Sequence, residues 1–91
     1  MNSELAVINI HILFFAKARE LSGLSETNYQ ISSPKIIASI LLDQICSTYN
    51  LSAIRDNLII AINESYCENL NTELQLQEGD EIAIIPPISG G

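Results

Sequence analysis

The chain has 91 residues, 47% of them hydrophobic, and carries a formal net charge of −7 from 11 acidic and 4 basic side chains. This length and composition predict one small folded domain and exclude a disordered segment, while the scarcity of basic residues argues against nucleic-acid binding, which needs several neutralised phosphates. Such acidity fits a partner with a basic docking surface, and it fits solubility alone equally well.

An alternating pattern over residues 6–15 predicts the first strand. Its inward positions are all apolar: Ile8, Ile10, Ile12 and Phe14. The opposite side is polar early and apolar late, because it ends on Leu13 and Phe15. Those two side chains either form an exposed contact site or are covered by the chain's own loops.

A short helix and a second strand are expected next. Residues 16–21 have helical spacing, and Gly23 stands where a glycine ends a helix. Residues 27–31 alternate again. Because the connection is short, an antiparallel pair with the first strand is the economical arrangement.

Ser33 and Pro34 are a typical helix start, with serine as the N-cap and proline at the first helical position. They predict one long helix ending near Tyr49, closed by Asn50. Its buried stripe at helical spacing consists of Ala38, Leu41, Leu42, Ile45 and Tyr49. The additional isoleucines at positions 36, 37 and 40 predict that the first two turns are covered on more than one side.

The second half of the chain predicts three more strands. The apolar run 58–62 is typical of a central strand buried on both faces, and residues 51–56 before it form a connector that has room for a single helical turn. Asn63 and Glu64 are a turn into a short strand, 65–68. Leu74 and Leu76 then close the end of the core.

A turn at residues 78–80 leads into the last strand, 81–85, which is expected to pair in parallel beside the first. The sequence therefore predicts an α+β domain of the β-grasp kind, a mixed sheet of about five strands with one long helix packed across it. Residues 1–85 form this domain, and residues 86–91 form a flexible, extended C-terminal arm.

The arm is defined by its composition. Pro86 and Pro87 cannot donate ladder hydrogen bonds, so the sheet stops there and the exit stays extended. Six residues reach roughly 20 Å beyond the sheet. Beyond the Ile88–Ser89 spacer, Gly90 and Gly91 carry no side chain, so the tip can pass through a narrow gap.

The chemical group at the tip is the Gly91 carboxylate, which has a pKa of roughly 3.5 and is ionised at neutral pH. It is a poor electrophile until another protein converts it to a mixed anhydride or thioester, because this chain has no nucleotide-binding motif. The sequence thus predicts a carrier or modifier that is activated in trans.

The chain offers few other residues for catalysis or metal binding. Cys46 and Cys67 are too few and too irregularly spaced for a disulfide scaffold or a metal site, and Cys46 is expected as a buried small hydrophobe. His11, the single histidine, is expected to be a polar residue on a strand face. The chain also lacks a transmembrane-length apolar run and a signal peptide, which predicts a cytoplasmic protein that does not associate with membranes.

The chain resembles the small, sulfur-carrier subunits of molybdopterin synthase, a family of ubiquitin-like β-grasp proteins. The matching segments are spread in order over nearly the whole chain: residues 12–21 with Gly23, Ile62-Asn63, residues 78–82 and the Pro-Pro-Ile-Ser-Gly-Gly end. The combination of the first segment with the tail is specific, whereas Gly-Gly alone is not.

The resemblance implies a mechanism for the tail. An E1-like adenylyltransferase and sulfurtransferase would adenylate the Gly91 carboxylate with ATP, and a persulfide donor would convert the glycyl adenylate to a thiocarboxylate (1-thioglycine). Its sulfur would attack cyclic pyranopterin monophosphate, and two such transfers would build the dithiolene of molybdopterin.

The same resemblance implies partners. The arm would insert into the large synthase subunit, in a heterotetramer of two small and two large subunits. The acid–base residues would belong to the large subunit, so this chain would be a non-catalytic sulfur donor without a stably bound cofactor or metal. Phe15 and Arg19, beside Leu13 and Ile85, are implied docking residues, although Arg19 is nearly as well explained as a solvated helix end.

Three alternatives stay open at the level of sequence. A thiamine-type sulfur carrier or a ubiquitin-like modifier would use the same activated glycine, and the segment of residues 14–21 disfavours both. A β-grasp interaction module with an inert Gly-Gly end would need no activation. Deletion of Gly91 separates the carriers from the interaction module.

Overall fold

The computed structural model describes residues 7–87, and within them it contains seven strands, two α-helices and one 3₁₀ helix. In chain order the elements are β1 (Ile8–Phe14), α1 (Ala16–Ser22), β2 (Glu26–Ile31), β3 (Lys35–Ile37), α2 (Ala38–Tyr49), the 3₁₀ helix (Ser52–Asn57), β4 (Ile59–Ile62), β5 (Ser65–Tyr66), β6 (Glu73–Gln75) and β7 (Glu81–Ile85). Five strands form a mixed sheet in the order β2-β1-β7-β4-β5, and β3 pairs with β6 separately.

The last strand lies at the centre of the sheet. β7 pairs in parallel with β1, where Ile12 lies opposite Ile82 and Phe14 opposite Ile84, and it pairs antiparallel with β4 on its other side. β2 is antiparallel to β1, as expected from the short connection. The predicted β-grasp topology, with its parallel first and last strands, is confirmed.

One face of the sheet and the buried stripe of α2 form the core. The largest fully buried side chains are Phe14, Ile10, Ile12, Leu41, Leu42, Ile45, Leu51, Ile60, Ile82, Ile84 and Cys46. Tyr49 packs edge-on against Phe14, with the ring centroids 5.2 Å apart, and against Tyr29 at 6.1 Å. The predicted stripe on α2 and the buried position of Cys46 are confirmed, and Leu74 and Leu76 are buried against the same core.

Both predicted helix ends are confirmed. Gly23 ends α1 in the left-handed conformation with φ 77°, and its N–H donates to the carbonyl of Arg19. Asn50 ends α2 with φ 65°, and its N–H donates to the carbonyl of Cys46. Glycine and asparagine adopt this conformation at lower cost than other residues, so each stops its helix.

The predicted start of the long helix at Ser33 is wrong. Residues 35–37 form β3, in which Ile36 lies opposite Leu74 of β6, and α2 begins only at Ala38. The N–H of Leu76 also donates to the carbonyl of Pro34 at 2.8 Å. Consecutive β-branched isoleucines favour a strand, and proline tolerates an extended backbone as well as a first helical turn, so the distant partner β6 decides the outcome.

Two burial predictions are also wrong. Ile37 and Ile40 are 38% and 47% exposed, so the start of α2 is covered on one side only. Ile59 is 42% exposed although Ile60 beside it is fully buried, so β4 has one solvent-facing side. An unbroken apolar run does not reveal whether a second layer covers it, and here none of residues 7–87 covers Ile59 fully.

The predicted turn between β4 and β5 is confirmed. Asn63 and Glu64 both have positive φ, 49° and 74°, as a tight hairpin with the twist of its strands requires. No helix within residues 7–87 has the length and apolar character needed to cross a membrane.

Candidate functional site

The side of the five-stranded sheet that faces away from α2, here called the outer face, carries several exposed apolar side chains. Phe15 is 43% exposed and Tyr66 is 67% exposed, the latter being the most exposed large hydrophobic side chain in residues 7–87. Aromatic side chains that are this accessible expose apolar area to water. A docked protein that covers this area would gain the free energy of burying it.

Strand register aligns the outer-face residues in rows. Leu13 lies opposite Ala83, Ala83 opposite Ala61, and Ala61 opposite Tyr66, so one row crosses four strands. A parallel row places Ile85 opposite Ile59. The small alanines in the middle and the larger side chains at the ends make the surface concave.

This concavity is a shallow groove of about 300 Å³, here called the outer groove. It is lined by Leu13, Phe15, Ala61, Glu64, Tyr66, Glu81, Ala83 and Ile85. Ala61 is only 4% exposed although it is not part of the cluster that packs against α2, because its cross-strand neighbours cover it on the outer face. A groove with an apolar floor and a polar rim is typical of protein–protein interfaces.

The chain leaves the sheet at one end of this groove, where the predicted arm begins. β7 ends at Ile85, a lining residue, and is followed directly by the half-buried Pro86 and the exposed Pro87. The N–H of Phe15 donates to the carbonyl of Ile84 at 3.2 Å, which ties the start of α1 to the end of β7. A protein that covers the groove therefore contacts the root of the arm.

A polar network fixes the other end of β7. Asn63 donates from its backbone to the carbonyl of Glu81 at 2.8 Å, accepts the Glu81 N–H at 2.9 Å, and donates from its side-chain amide to Asp80 at 3.1 Å. The second oxygen of Asp80 accepts the N–H of Gln77 at 2.8 Å. These bonds hold the β4–β5 hairpin against β7, so they fix the shape of the groove.

Carboxylates dominate the charge of the groove. Glu64 and Glu81 line it, and Glu26 of β2 lies opposite Leu13 in the sheet. His11 lies beside them, with its Nε2 2.6 Å from Glu26 Oε1 and its Nδ1 3.0 Å from Asn28 Oδ1. The hydrogen bonds to Asn28 and Glu26, together with the charges of Glu26 and Glu81, raise the pKa of His11 above its ordinary value.

The structure brings three of the four predicted docking residues together. Leu13, Phe15 and Ile85 line the same groove, and Phe15 is not covered by the described part of the chain. Arg19 lies exposed in the last turn of α1 and does not line the groove. Of the predicted arm, Pro86 and Pro87 are described, whereas Ile88, Ser89, Gly90 and Gly91 lie outside the described residues.

Sequence reasoning missed Tyr66 and Ile59 as outer-face residues. Tyr66 lies in a strand of two residues, too short to show alternation, and Ile59 is hidden in a continuous apolar run. No local signal assigned Tyr66 to either face, because tyrosine is found both buried and exposed.

The cysteines provide little chemistry in this arrangement. Burial raises the pKa of the Cys46 thiol, which disfavours the reactive thiolate. Cys67 is half-buried and its Sγ lies 3.4 Å from the carbonyl of Asn69. Among residues 7–87, no group of three or more His, Cys, Asp or Glu side chains is arranged to hold a metal ion.

Comparison with known proteins gives the family. The family model of the ThiS family matches residues 12–91, which include both the groove-lining residues and the Gly-Gly end. The chain belongs to the ThiS family. This ThiS-family chain is also 50% identical over 91 residues to the molybdopterin synthase sulfur carrier subunit of Drosophila ananassae, covering 100% of each chain.

Solved structures agree with this assignment. The solution structure of a Haloferax volcanii protein has a TM-score of 0.76 and 20% identity over 100% of this chain and 93% of that chain, a likeness in fold alone. A chain in the complex of subunits 1 and 2 of the molybdopterin-converting factor from Helicobacter pylori has a TM-score of 0.61 and 26% identity, over 92% of this ThiS-family chain and 100% of that chain.

Proposed function

We propose that this protein is the sulfur carrier subunit of a molybdopterin synthase. The observation that carries the proposal is the full-length identity of 50% to a curated relative of that name. It is supported by the geometry of the outer face, where an apolar groove with an acidic rim lies at the root of the Gly-Gly arm.

In this function the Gly91 carboxylate is the reacting group. An E1-like activating enzyme joins it to AMP with ATP, which supplies the leaving group that an ionised carboxylate lacks. The terminal sulfur of a persulfide then displaces AMP to give an acyl disulfide, and a thiol of the donor protein cleaves its S–S bond, which releases the C-terminal thiocarboxylate and leaves a disulfide on the donor. This sulfur is transferred to cyclic pyranopterin monophosphate in the large subunit, which supplies the acid–base residues, and no cofactor needs to stay bound to the carrier.

The outer groove is proposed to dock the large subunit. Leu13, Phe15 and Ile85 would contact it together with Tyr66, and the exposed Arg19 of α1 would contact it outside the groove. Such a site seats the partner around the arm, so the roughly 20 Å that the six residues span is directed into the partner's active site. By this proposal two carriers and two large subunits form a heterotetramer, which acts in the cytoplasm.

The deciding experiment is the intact mass of the protein after incubation with the activating enzyme, ATP and a sulfur donor. We expect one oxygen of the C terminus to be exchanged for sulfur, and the product to form molybdopterin when it is mixed with the large subunit and cyclic pyranopterin monophosphate. The variant lacking Gly91 should give neither result, while its urea unfolding should match the full chain because β7 ends at Ile85.

The alternatives give different results in the same experiment. An unchanged mass in the full-length protein would contradict any carrier function and favour an interaction module. A thiocarboxylate that supports thiazole formation but no molybdopterin would indicate a thiamine-type carrier. Covalent attachment to lysine side chains of other proteins would indicate a ubiquitin-like modifier.

A further inference from the structure

His11 is held at the edge of the outer groove by neighbours from both adjacent strands. Glu26 and Asn28 of β2 contact its two ring nitrogens at 2.6 and 3.0 Å. Glu81 of β7 lies opposite His11 in the parallel pair, and the N–H of His11 donates to the Asp80 carbonyl at 2.8 Å. We call His11, Glu26, Asn28 and Glu81 the His11 cluster.

The geometry of the cluster suits the protonated ring. Both ring nitrogens face oxygen acceptors, and only the imidazolium can donate a proton from each of them at once. A neutral ring leaves one contact without a proton, unless the Asn28 amide rotates to offer its NH₂ group. The charge state of His11 and the orientation of Asn28 are therefore connected.

The cluster is continuous with the docking groove. Glu81 belongs to both, because it lines the groove and its charge acts on His11. Leu13, two residues along the same side of β1, also lines the groove and lies opposite Glu26. The edge of a protein that covers the groove would therefore contact the His11 cluster.

We propose that docking of the large subunit on the outer face is coupled to the loss of a proton from His11. The inference rests on the proposed function, since it takes the large subunit as the partner. That partner is expected to present lysine or arginine side chains here, because Glu26, Glu64 and Glu81 surround this end of the face and the whole chain carries a net charge of −7. Complementary charge of this kind is common at protein interfaces.

The coupling follows from competition for the same carboxylates. A partner cation near Glu26 or Glu81 disfavours a second positive charge on the ring, so it lowers the pKa of His11. The complex then binds fewer protons than the free proteins, and affinity increases as the pH is raised. For each unit by which docking lowers this pKa, affinity differs about tenfold between the acidic and alkaline limits.

The test uses the fact that the chain has a single histidine. The untagged protein, isotopically labelled at histidine, is titrated by NMR between about pH 5.5 and 8.5, a range that brackets the ordinary histidine pKa, alone and bound to the unlabelled large subunit. We expect a pKa above about 6.5 in the free protein and a lower one in the complex. Calorimetry in buffers of different ionisation enthalpy should then show proton release on binding.

Three variants make the test specific. His11→Gln is neutral at every pH, so it should lose the proton release and bind with the affinity that the wild type reaches at high pH. Glu26→Gln should lower the pKa of His11 in the free protein and reduce the change on docking. Gln30→Ala, an exposed change on the same strand outside the cluster, should alter neither quantity.

Several outcomes would overturn the inference. A His11 pKa that stays the same or rises on docking contradicts it, and so does equal proton release by the wild type and His11→Gln. A change in the His11 pKa that depends on the concentration of this chain when no large subunit is present would assign the coupling to a second copy of this chain. If the wild type fails to bind the large subunit at every pH, the proposed function fails and this inference with it.

Discussion

The two faces of the sheet are built from the same strands but differ in what covers their apolar side chains. On β7, Ile82 and Ile84 are fully buried against α2, whereas Ala83 and Ile85 line the outer groove. The inner face is closed by the domain itself, so its apolar area contributes to folding. The outer face leaves apolar side chains accessible, so their burial is available to a partner.

The comparison teaches that apolar character alone does not distinguish stability from binding. Ile84 and Ile85 are the same residue type at adjacent positions, and only the side of the pleat separates them. One face is covered by α2, whereas the other is open and has an acidic rim. Substitutions on the covered face should therefore lower the free energy of unfolding, and substitutions on the open face should lower the affinity for a partner.

The largest expected effect comes from replacing each of the two adjacent isoleucines, Ile84 and Ile85, with alanine in separate variants. Ile84→Ala leaves a cavity in the core and should lower the free energy of unfolding by about 2–5 kcal/mol, a large share of what a small domain has. Ile85→Ala should cost about 1 kcal/mol or less but weaken binding to the large subunit. Urea unfolding followed by circular dichroism measures the first quantity, and calorimetry the second. Equal losses of stability would contradict the division between the faces.

An intermediate effect is expected at Tyr66, which is 67% exposed at one side of the groove. Tyr66→Ala should reduce affinity for the large subunit by roughly tenfold to thirtyfold, because truncation of an exposed aromatic at an interface removes a large contact area, with little change in stability. Ile40→Ala is the matched control, because Ile40 is 47% exposed on α2, away from the outer face. Comparable affinities of the two variants would show that Tyr66 does not contact the partner.

The smallest effect is the pH dependence of stability that His11 contributes. Its pKa is raised in the folded protein by its hydrogen bonds to Asn28 and Glu26, so folding favours the protonated ring. This stabilisation is complete below the unfolded pKa of about 6.5 and is lost as the pH rises through the folded value. The difference in urea midpoint between the wild type and His11→Gln should therefore shrink with increasing pH. A constant difference would contradict the cluster geometry.

Local patterns in the sequence were sufficient for much of the fold. Alternation over residues 6–15, the helical stripe ending at Tyr49 and the residues that stop α1 and α2 all predicted the elements found. Each of these signals acts over a few residues, because strand pleating, helical periodicity and left-handed caps are local properties of the chain. The parallel pairing of β1 with β7 followed from the order of elements.

The errors occurred where a distant segment decides. Ser33 and Pro34 are residues typical of a helix start, yet Ile36 pairs with Leu74 in a strand. The residues near Ile36 in the sequence do not reveal this distant partner. Ile59 looked like its buried neighbour Ile60, because the apolar run does not show that only one side of β4 is covered. The site was affected in the same way, since Leu13, Phe15 and Ile85 were expected while Tyr66 was missed.

The sequence by itself determined which residues alternate, where helices stop, and that two prolines directly follow the last strand. Only the tertiary structure decided which apolar side chains remain accessible and which of them meet. Leu13, Ala83, Ala61 and Tyr66 form one row because the strands pair in a particular register, and register is fixed by long-range packing against α2. Pairing between strands that lie far apart in the chain cannot be read locally, so the groove at the root of the arm exists only in the folded protein.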